Sequence, residues 1–274
     1  MTTLVGTKPL PGTTRDPLYP DSDGQPLGET GFHVRVLYIL YTALRFFYRH
    51  RNDVYVAADM FFYYEKDNPA ANKSPDLMVI KGVAGNHERR SFRVWEENVV
   101  PTVIFEITSA STWREDTEIK KATYERLGVA EYFLFDPFGE KLNPILQGFR
   151  LVAGEYVRLT PEPDGSLIST ELNMRIFAED TFLRLVDLQT GKLLLTQLEE
   201  FQRAEQEAER ARQEARRAEE EKQRAEQEAR RAEEEKQRAE QETRRAEEEK
   251  QRADALAAEV ARLRTLLEQQ GKKE

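Results

Sequence analysis

The sequence contains no cysteine and only three histidines among its 274 residues. The lack of cysteine excludes disulfide bonds and thiolate metal sites, and the scarcity of histidine argues against a histidine-rich zinc site. No apolar run reaches the roughly 20 residues that a membrane-spanning helix needs, and no signal-peptide core is visible. We therefore expect a soluble cytoplasmic protein with no membrane partner. The formal net charge of −9 gives no chain-wide basic surface for nucleic acid, although a local basic groove remains compatible with it.

Composition divides the chain into three segments. Residues 1–28 contain five prolines, which forbid a long helix and predict a flexible N-terminal arm. Residues 29–196 are rich in aromatic and β-branched side chains, and the segment is long enough for one well-buried domain. Residues 197–274 consist almost entirely of Glu, Arg, Lys, Gln and Ala. This composition predicts a long charged helix.

Apolar spacing within residues 29–196 predicts an α/β or α+β fold. Val36, Leu37, Leu40 and Leu44 recur at intervals of three and four, which predicts a helix over about 29–51 with one buried face. A second helix is predicted over 112–127. Short aromatic and β-branched runs predict strands over 53–57, 60–64, 75–80, 101–107, 131–135, 149–152 and 155–159. This order of elements predicts a mixed sheet with helices packed on it.

Two acidic residues lie in the apolar runs of this predicted sheet. Asp76 lies in SPDLMVI and Glu106 lies in PTVIFEITS. A carboxylate in a buried strand is costly to desolvate unless it is paired or bound to a cation. Asp76 follows a proline at a strand start and could simply accept backbone hydrogen bonds, whereas Glu106 in mid-strand is harder to explain without a functional partner.

The segment after Glu106 carries the other candidate residues. Thr112 followed by Glu115 has the spacing of a capping box, which predicts that a helix begins there. Asp116, Lys120 and Tyr124 follow at intervals of four, so the spacing puts them on one helix face. Lys121 competes with Lys120 for the same role, and Tyr124 is as consistent with a core position as with a site.

Such a set of residues suits phosphodiester hydrolysis. Asp76 and Glu106 supply the oxygen ligands that Mg²⁺ or Mn²⁺ prefers, and the backbone carbonyl of Ile107 could add another. A bound cation would polarise the phosphate and lower the pKa of a bound water. Lys120 would stabilise the negative charge that develops in the transition state. The sequence therefore predicts a metal-dependent nuclease that acts on DNA.

The stretch PDLMVI…FEITSASTWREDTEIKKATYERLGVAEYFLFDP resembles the Uma2 (DUF820) family of restriction-endonuclease-like proteins. That family is assigned to the PD-(D/E)XK nuclease superfamily. The resemblance spans roughly residues 29–190 and does not include the tail. It implies a restriction-endonuclease-like core, a mixed β-sheet flanked by helices, with divalent-metal dependence.

The resemblance also implies roles for individual residues. The two acids of the superfamily match Asp76 and Glu106. The superfamily's usual lysine position, two residues after the second acid, is Thr108 here, and the Uma2 pattern instead places the lysine on the next helix, at Lys120. Asp116 and Tyr124 match positions associated with that helix. Some superfamily members use a glutamate on the first helix, for which Glu29, one turn before His33, is the match.

Two other functions remain open at the level of sequence. The domain could be a catalytically inactive binding or scaffold module with a nuclease fold, which assembles through its C-terminal coil. It could also be a nuclease that acts on RNA or on a branched structure, because no residue pattern here separates these substrates from duplex DNA.

The tail is an internal repeat of fourteen residues, or two heptads. RAEEEKQRAEQEAR at 217–230 recurs at 231–244 with one change. Alanine recurs at every seventh position from 204 to 253, next to a second row of Ala, Lys and Thr, as in a coiled coil with a weak seam. From Ala204 onward, larger apolar residues appear only near the end of the chain, at Leu256, Val260, Leu263, Leu266 and Leu267. We expect any homo-oligomer contact there, and a rigid spacer is an equal alternative.

Overall fold

A computed structural model describes residues 10–13, 16–21, 31–85 and 87–270; for residues 264–270 it describes the backbone alone. The chain divides into two compact units, Met1–Gln202 and Arg203–Glu274. The first contains all the described strands, and the second belongs to the long C-terminal helix. No helix within the described ranges is long and apolar enough to cross a membrane.

The two predicted helices of the domain, the predicted tail helix and all seven predicted strands are present. The helices are α1 (Gly31–Phe47), α2 (Val94–Glu97), α3 (Lys121–Leu127) and α4 (Gln197–Gln270), and a π-helical segment, Glu115–Lys120, leads directly into α3. The strands are β1 (Val54–Ala58), β2 (Phe62–Tyr63), β3 (Asn72–Lys73), β4 (Leu77–Lys81), β5 (Phe92–Arg93), β6 (Val103–Ile107), β7 (Glu131–Phe135), β8 (Leu146–Val152), β9 (Glu155–Arg158), β10 (Leu167–Ser169), β11 (Met174–Glu179) and β12 (Phe182–Asp187). The short strands β3 and β5 and all of β10–β12 are additions to the prediction.

A six-stranded mixed sheet forms the centre of the first unit. Its strand order is β1-β4-β6-β7-β8-β9, and only the β6–β7 pair is parallel. The connection between these two parallel strands is the π-helical segment followed by α3. Two smaller sheets, β3-β2-β5 and β10-β11-β12, complete the unit. The expected mixed sheet flanked by helices is confirmed.

Each face of the central sheet is covered by a different helix. Along β6, Val103 and Phe105 belong to the core cluster that includes α1 and the β10–β12 sheet. Ile104 belongs to the opposite cluster, together with Tyr124 of α3. Since side chains alternate between the two faces of a strand, Glu106 points to the same side as Ile104 and therefore towards α3.

The described parts of the N-terminal arm are packed on the domain. Tyr19 is buried, with its ring centroid 5.2 Å from that of Tyr63 and 5.0 Å from that of Trp95. Its hydroxyl accepts a hydrogen bond from the backbone N–H of Asp67 at 2.7 Å. Asp16 forms an ion pair with Arg93 at 3.3 Å. The expectation of a flexible arm therefore does not hold for residues 10–13 and 16–21.

Helix α4 begins where the sequence predicts the tail to begin. The Thr196 Oγ1 accepts a hydrogen bond from the Glu199 N–H at 3.2 Å, and a Glu199 carboxylate oxygen accepts one from the Thr196 N–H at 2.7 Å. This reciprocal pair is a capping box. Glu199 also binds Arg184 of β12 at 3.1 Å. At 1.5 Å per residue, the 74 residues of α4 extend for about 110 Å.

Glutamates flank the alanine seam, by which we mean the two neighbouring rows that begin at Ala204 and Ala208. The residue before each member of the second row, from 207 to 249, is always Glu. The residue after each alanine of the first row, from 205 to 247, is Glu at every position except Arg212. Two copies paired through this seam would place like charges opposite each other, which is destabilising in a coiled coil.

We therefore predict that the alanine seam does not pair with itself. Any self-association of the full chain should pass through Leu256, Val260 and Leu263, whose side chains are exposed. The triple variant with alanine at these three positions should sediment as a monomer. Lysine at positions 221, 228 and 235, which reverses one flank of the seam, should promote dimerisation.

The matched control is glutamate to lysine at 220, 234 and 248, on the opposite side of the helix. It introduces the same charge change and should leave sedimentation unaltered. A wild-type dimer that persists in the triple alanine variant would show that the seam pairs despite its glutamates.

Candidate active site

Asp76 and Glu106 lie side by side on neighbouring antiparallel strands. Leu77 pairs with Phe105, which brings the residue before β4 next to Glu106 of β6. The Asp76 N–H donates to Glu106 Oε2 at 3.2 Å, and the Ile107 N–H donates to Asp76 Oδ2 at 2.5 Å. Each carboxylate is thus fixed by a backbone group of the neighbouring strand.

Lys120 and Tyr124 approach Glu106 from the helical segment. The Lys120 Nζ donates to Glu106 Oε2 at 2.9 Å, and the Tyr124 hydroxyl donates to Glu106 Oε1 at 3.0 Å. Glu106 is 1% exposed, and Tyr124 is fully buried. Both oxygens of the buried carboxylate therefore have a partner from the crossover that links β6 to β7.

Asp116 is the third acid of the site. Its Oδ1 lies 3.2 Å from the Lys120 Nζ, and the residue is almost completely buried. It lies in the π-helical segment, a type of distortion that occurs frequently at functional sites. The Tyr132 hydroxyl of β7 donates to the Asp116 carbonyl at 2.9 Å, which attaches the segment to the sheet.

The side-chain hydrogen bonds at the beginning of the helix differ from those that the sequence predicts. The reciprocal side-chain hydrogen bonds join Ser109 and Thr112: the Thr112 N–H donates to Ser109 Oγ at 3.3 Å, and the Ser109 N–H donates to Thr112 Oγ1 at 3.1 Å. The first helical bond runs from the Trp113 N–H to the Ser109 carbonyl. The helical residues begin at Trp113, directly after Thr112 as predicted, but Thr112 is bonded to Ser109 and not to Glu115.

Of the two candidate lysines, only Lys120 contacts the acids. The Lys121 Nζ lies 4.1 Å from the centroid of the Phe149 ring. His33 of α1 lies close to the site, with Nε2 3.4 Å from Asp76 Oδ1. Glu29 lies outside the described residues. The structure thus brings together Asp76, Glu106, Lys120, Asp116 and Tyr124, and their roles in metal binding and catalysis remain predictions.

Burial controls the charge of Glu106. Desolvation raises the pKa of its carboxyl group from 4.5 to about 8; Lys120 opposes the shift, and Asp76 and Asp116 reinforce it. Burial also raises the pKa of Asp116, and Lys120 again opposes this shift. Without a further cation, three neighbouring acids share one ammonium group.

The same neighbours keep Lys120 charged. Burial acts to lower the pKa of its ammonium group, but Glu106, Asp116 and Asp76 together outweigh this effect and raise it. Desolvation raises the pKa of Tyr124 well above its usual value, so its hydroxyl stays protonated and donates to Glu106. Lys120 is therefore a permanent positive charge in a buried acidic environment.

The donor set is limited to a few hard oxygen ligands. Within the described ranges, no group of three or more His, Cys, Asp or Glu side chains converges as a metal site. Asp76 and Glu106 are nevertheless neighbours, and burial raises the pKa of Glu106 although the Lys120 ammonium group contacts it. Two carboxylates suit Mg²⁺, which usually keeps several of its waters and takes one or two protein carboxylates.

A cleft of about 340 Å³, which no sequence pattern predicts, opens beside Asp76. It lies between the start of α1, the segment after β6 and the loop after β7. His33 and Ile107, which both contact Asp76, form part of its wall. The exposed Phe138 lies on the same wall. In the sequence, the only indication of this cleft is an aromatic residue in a turn, Phe138 in Asp136-Pro-Phe-Gly139.

A comparison with known families identifies the family of this chain. The model described as "Uma2: Putative restriction endonuclease" matches residues 10–177, more than half of the chain. The chain belongs to the Uma2 family. All the site residues described above lie inside the matched range, and so does the packed part of the N-terminal arm.

Among solved structures, the chain is similar to "a putative nuclease belonging to DUF820" from Anabaena variabilis. The two share 14% sequence identity with a TM-score of 0.40, over 52% of this chain and 74% of that one. No curated protein matches the sequence. The match of the family model over residues 10–177 confirms the family that the sequence resembles.

The raised pKa of Glu106 predicts how stability depends on pH. The folded chain binds this proton more tightly than the unfolded chain, so the stabilisation is complete below pH 4.5 and disappears as pH rises through about 8. In a chelating buffer, the free energy of unfolding should fall with pH in this window, with a slope of up to about 1.4 kcal/mol per unit.

The matched control is Glu106→Gln, which keeps the shape of the side chain and cannot ionise. As pH rises, the wild type should lose free energy of unfolding relative to Glu106→Gln, as measured by urea denaturation. Lys120 adds no pH dependence in this window, because its raised pKa changes the free energy of unfolding only at pH values above its ordinary pKa of 10.5. Parallel pH profiles would contradict the buried, proton-binding carboxyl group.

Proposed function

We propose that this Uma2 protein is a metal-dependent nuclease that hydrolyses phosphodiester bonds in DNA. The observation that carries the proposal is the buried Glu106 carboxyl group, which contacts the Asp76 backbone, the Lys120 ammonium group and the Tyr124 hydroxyl. A fully desolvated acid in mid-strand is costly for stability, and strongly perturbed groups of this kind cluster at functional sites.

Asp76 and Glu106 are the residues that would hold Mg²⁺ or Mn²⁺. Such a cation supplies positive charge for the phosphate oxygens and lowers the pKa of a coordinated water. Glu106 would ionise when the cation binds, because a second positive charge reverses the effect of the neighbouring acids. The Ile107 N–H holds Asp76 Oδ2 in place, so Asp76 needs little rearrangement to act as a ligand.

Lys120 is the residue that would act on the phosphate. Its ammonium group stays charged and is held by Glu106 and Asp116, at 2.9 and 3.2 Å. A fixed positive charge in a desolvated site stabilises the negative charge that develops on the phosphate oxygens. Tyr124 orients Glu106 through its hydroxyl, and Asp116 orients Lys120.

We expect cleavage of plasmid and single-stranded DNA that requires Mg²⁺ or Mn²⁺. Asp76→Asn, Glu106→Gln and Lys120→Met should each lower the cleavage rate by at least about 100-fold, because each removes a charge from the transition state. Lys121→Met is the matched control, since Lys121 packs on Phe149, and it should cleave like the wild type. Circular dichroism would confirm that all four variants are folded.

Metal binding gives a second measurement that does not depend on the choice of substrate. Mn²⁺ should raise the melting temperature of the wild type and of Lys121→Met, but not that of Glu106→Gln or Asp76→Asn. No cleavage together with no thermal shift would contradict the proposal and favour the scaffold function. RNA of the same sequence, tested in parallel, would separate the two kinds of nucleic acid.

A further inference from the structure

The cleft beside Asp76, which we call the β6–β7 pocket, has a wall made of two aromatic rings. The centroids of Phe32 and Phe138 lie 4.6 Å apart with an interplanar angle of 44°. Phe32 also stacks on Phe182 at 6.1 Å. Phe138 is 60% exposed although it rests on this aromatic cluster. One face of the wall is therefore available to a ligand.

The loop that carries Phe138 is fixed by Asp136. The Asp136 carboxylate accepts hydrogen bonds from the N–H groups of Phe138 at 3.2 Å, Lys141 at 2.6 Å and Leu142 at 2.9 Å. Asp136 is 3% exposed. These bonds hold the exposed ring in one position, which lowers the entropy lost when a ligand stacks on it.

A polar group without a partner lies deep in the same pocket. Thr108 is 3% exposed, and its Oγ1 has no hydrogen-bond partner among the described residues. Leaving a buried hydroxyl unpaired costs about 1–3 kcal/mol. The hydroxyls of Ser109 and Ser111 lie on the same wall. The pocket thus combines an apolar ring surface with hydroxyl groups that can bind the polar edge of a ligand.

The lining of the pocket favours an uncharged ligand over a phosphate, because its titratable residues in the described part of the chain are two acids and one histidine, His33. Its lining contains Asp136 and Glu140 and, in the described part of the chain, no lysine or arginine. A phosphate would be repelled, whereas an uncharged planar ring with hydrogen-bonding edges fits both the aromatic wall and Thr108. A volume of about 340 Å³ lies near the lower end of the range for small-molecule pockets and suits one such ring.

We propose that the β6–β7 pocket binds one unpaired nucleobase of the substrate, stacked on Phe138 with its edge towards Thr108. The pocket adjoins the acids through His33 and Ile107, so the base would belong to a nucleotide close to the cleaved phosphate. A base in an intact duplex is stacked on both faces and paired at its edge. This inference rests on the proposed function, and it makes a single-stranded or locally opened strand the preferred substrate.

Binding of fluorescent oligonucleotides, measured by anisotropy in a chelating buffer so that no cleavage occurs, tests the proposal. Phe138→Ala should weaken single-strand binding about tenfold, since stacking of one base contributes about 1–3 kcal/mol. Phe138→Trp should restore it. Thr108→Val should weaken it about two- to tenfold and alter the preference among the four bases. An oligonucleotide of abasic nucleotides should be insensitive to all three changes.

Tyr38→Ala is the matched control, because Tyr38 of α1 is 63% exposed and does not line the pocket. It should bind like the wild type. Equal binding by Phe138→Ala and Tyr38→Ala, or no single-strand binding by the wild type, overturns the pocket proposal, while metal-dependent cleavage lost in Glu106→Gln would leave the nuclease function intact. Binding that depends on Phe138, together with no cleavage, would support the pocket proposal and contradict the nuclease function. Deoxyribose and ribose strands of one sequence separate DNA from RNA.

Discussion

The desolvated carboxyl group of Glu106 determines how the rest of the site is arranged. It lies in mid-strand on the α3 face of the sheet, where water cannot solvate it. Its two oxygens must therefore find protein donors, and they find Lys120 and Tyr124. Because both donors lie on the crossover between β6 and β7, this crossover has to dock directly over the acid. The one parallel strand pair of the central sheet and the candidate site are thus parts of the same arrangement.

The group of charges around Glu106 is poorly balanced for a purely structural role. A buried ion pair often contributes no more stability than apolar residues of similar volume. Here three acids, Asp76, Glu106 and Asp116, lie around a single ammonium group, and burial, reinforced by the neighbouring acids, raises the pKa values of Glu106 and Asp116. An apolar residue at 106 would avoid this cost. Under the proposed function, a bound cation would supply positive charge to this group of acids, and an anionic substrate would make the requirement stronger.

Local patterns in the sequence were sufficient to predict the central features. The acids stood out because a charge within an apolar strand is rare, and the four-residue spacing of Asp116, Lys120 and Tyr124 predicted their common direction even though part of the helix is π-helical. The family resemblance selected Lys120 over Lys121, and the observed contacts agree with that choice.

The features that were missed depend on contacts distant in sequence. Tyr19 is buried only because Tyr63 and Trp95 provide its partners. Strand β12 buries Arg184, which is accommodated only through Glu199 at the start of α4, outside the strand. The pocket is formed by three segments that meet only in the fold, so no single stretch of sequence shows it.

The distribution of charge also limits how such a protein could recognise nucleic acid. Strong non-specific binding usually comes from lysines and arginines that neutralise phosphates. This chain has a net charge of −9, its candidate site is acidic, and acids line the β6–β7 pocket. Under the proposed function, affinity must then come from stacking on a base, which needs no metal ion, and the metal ion adds to it. Both interactions act within a nucleotide or two of the cleaved bond, so they favour an exposed strand over the regular phosphate array of a duplex.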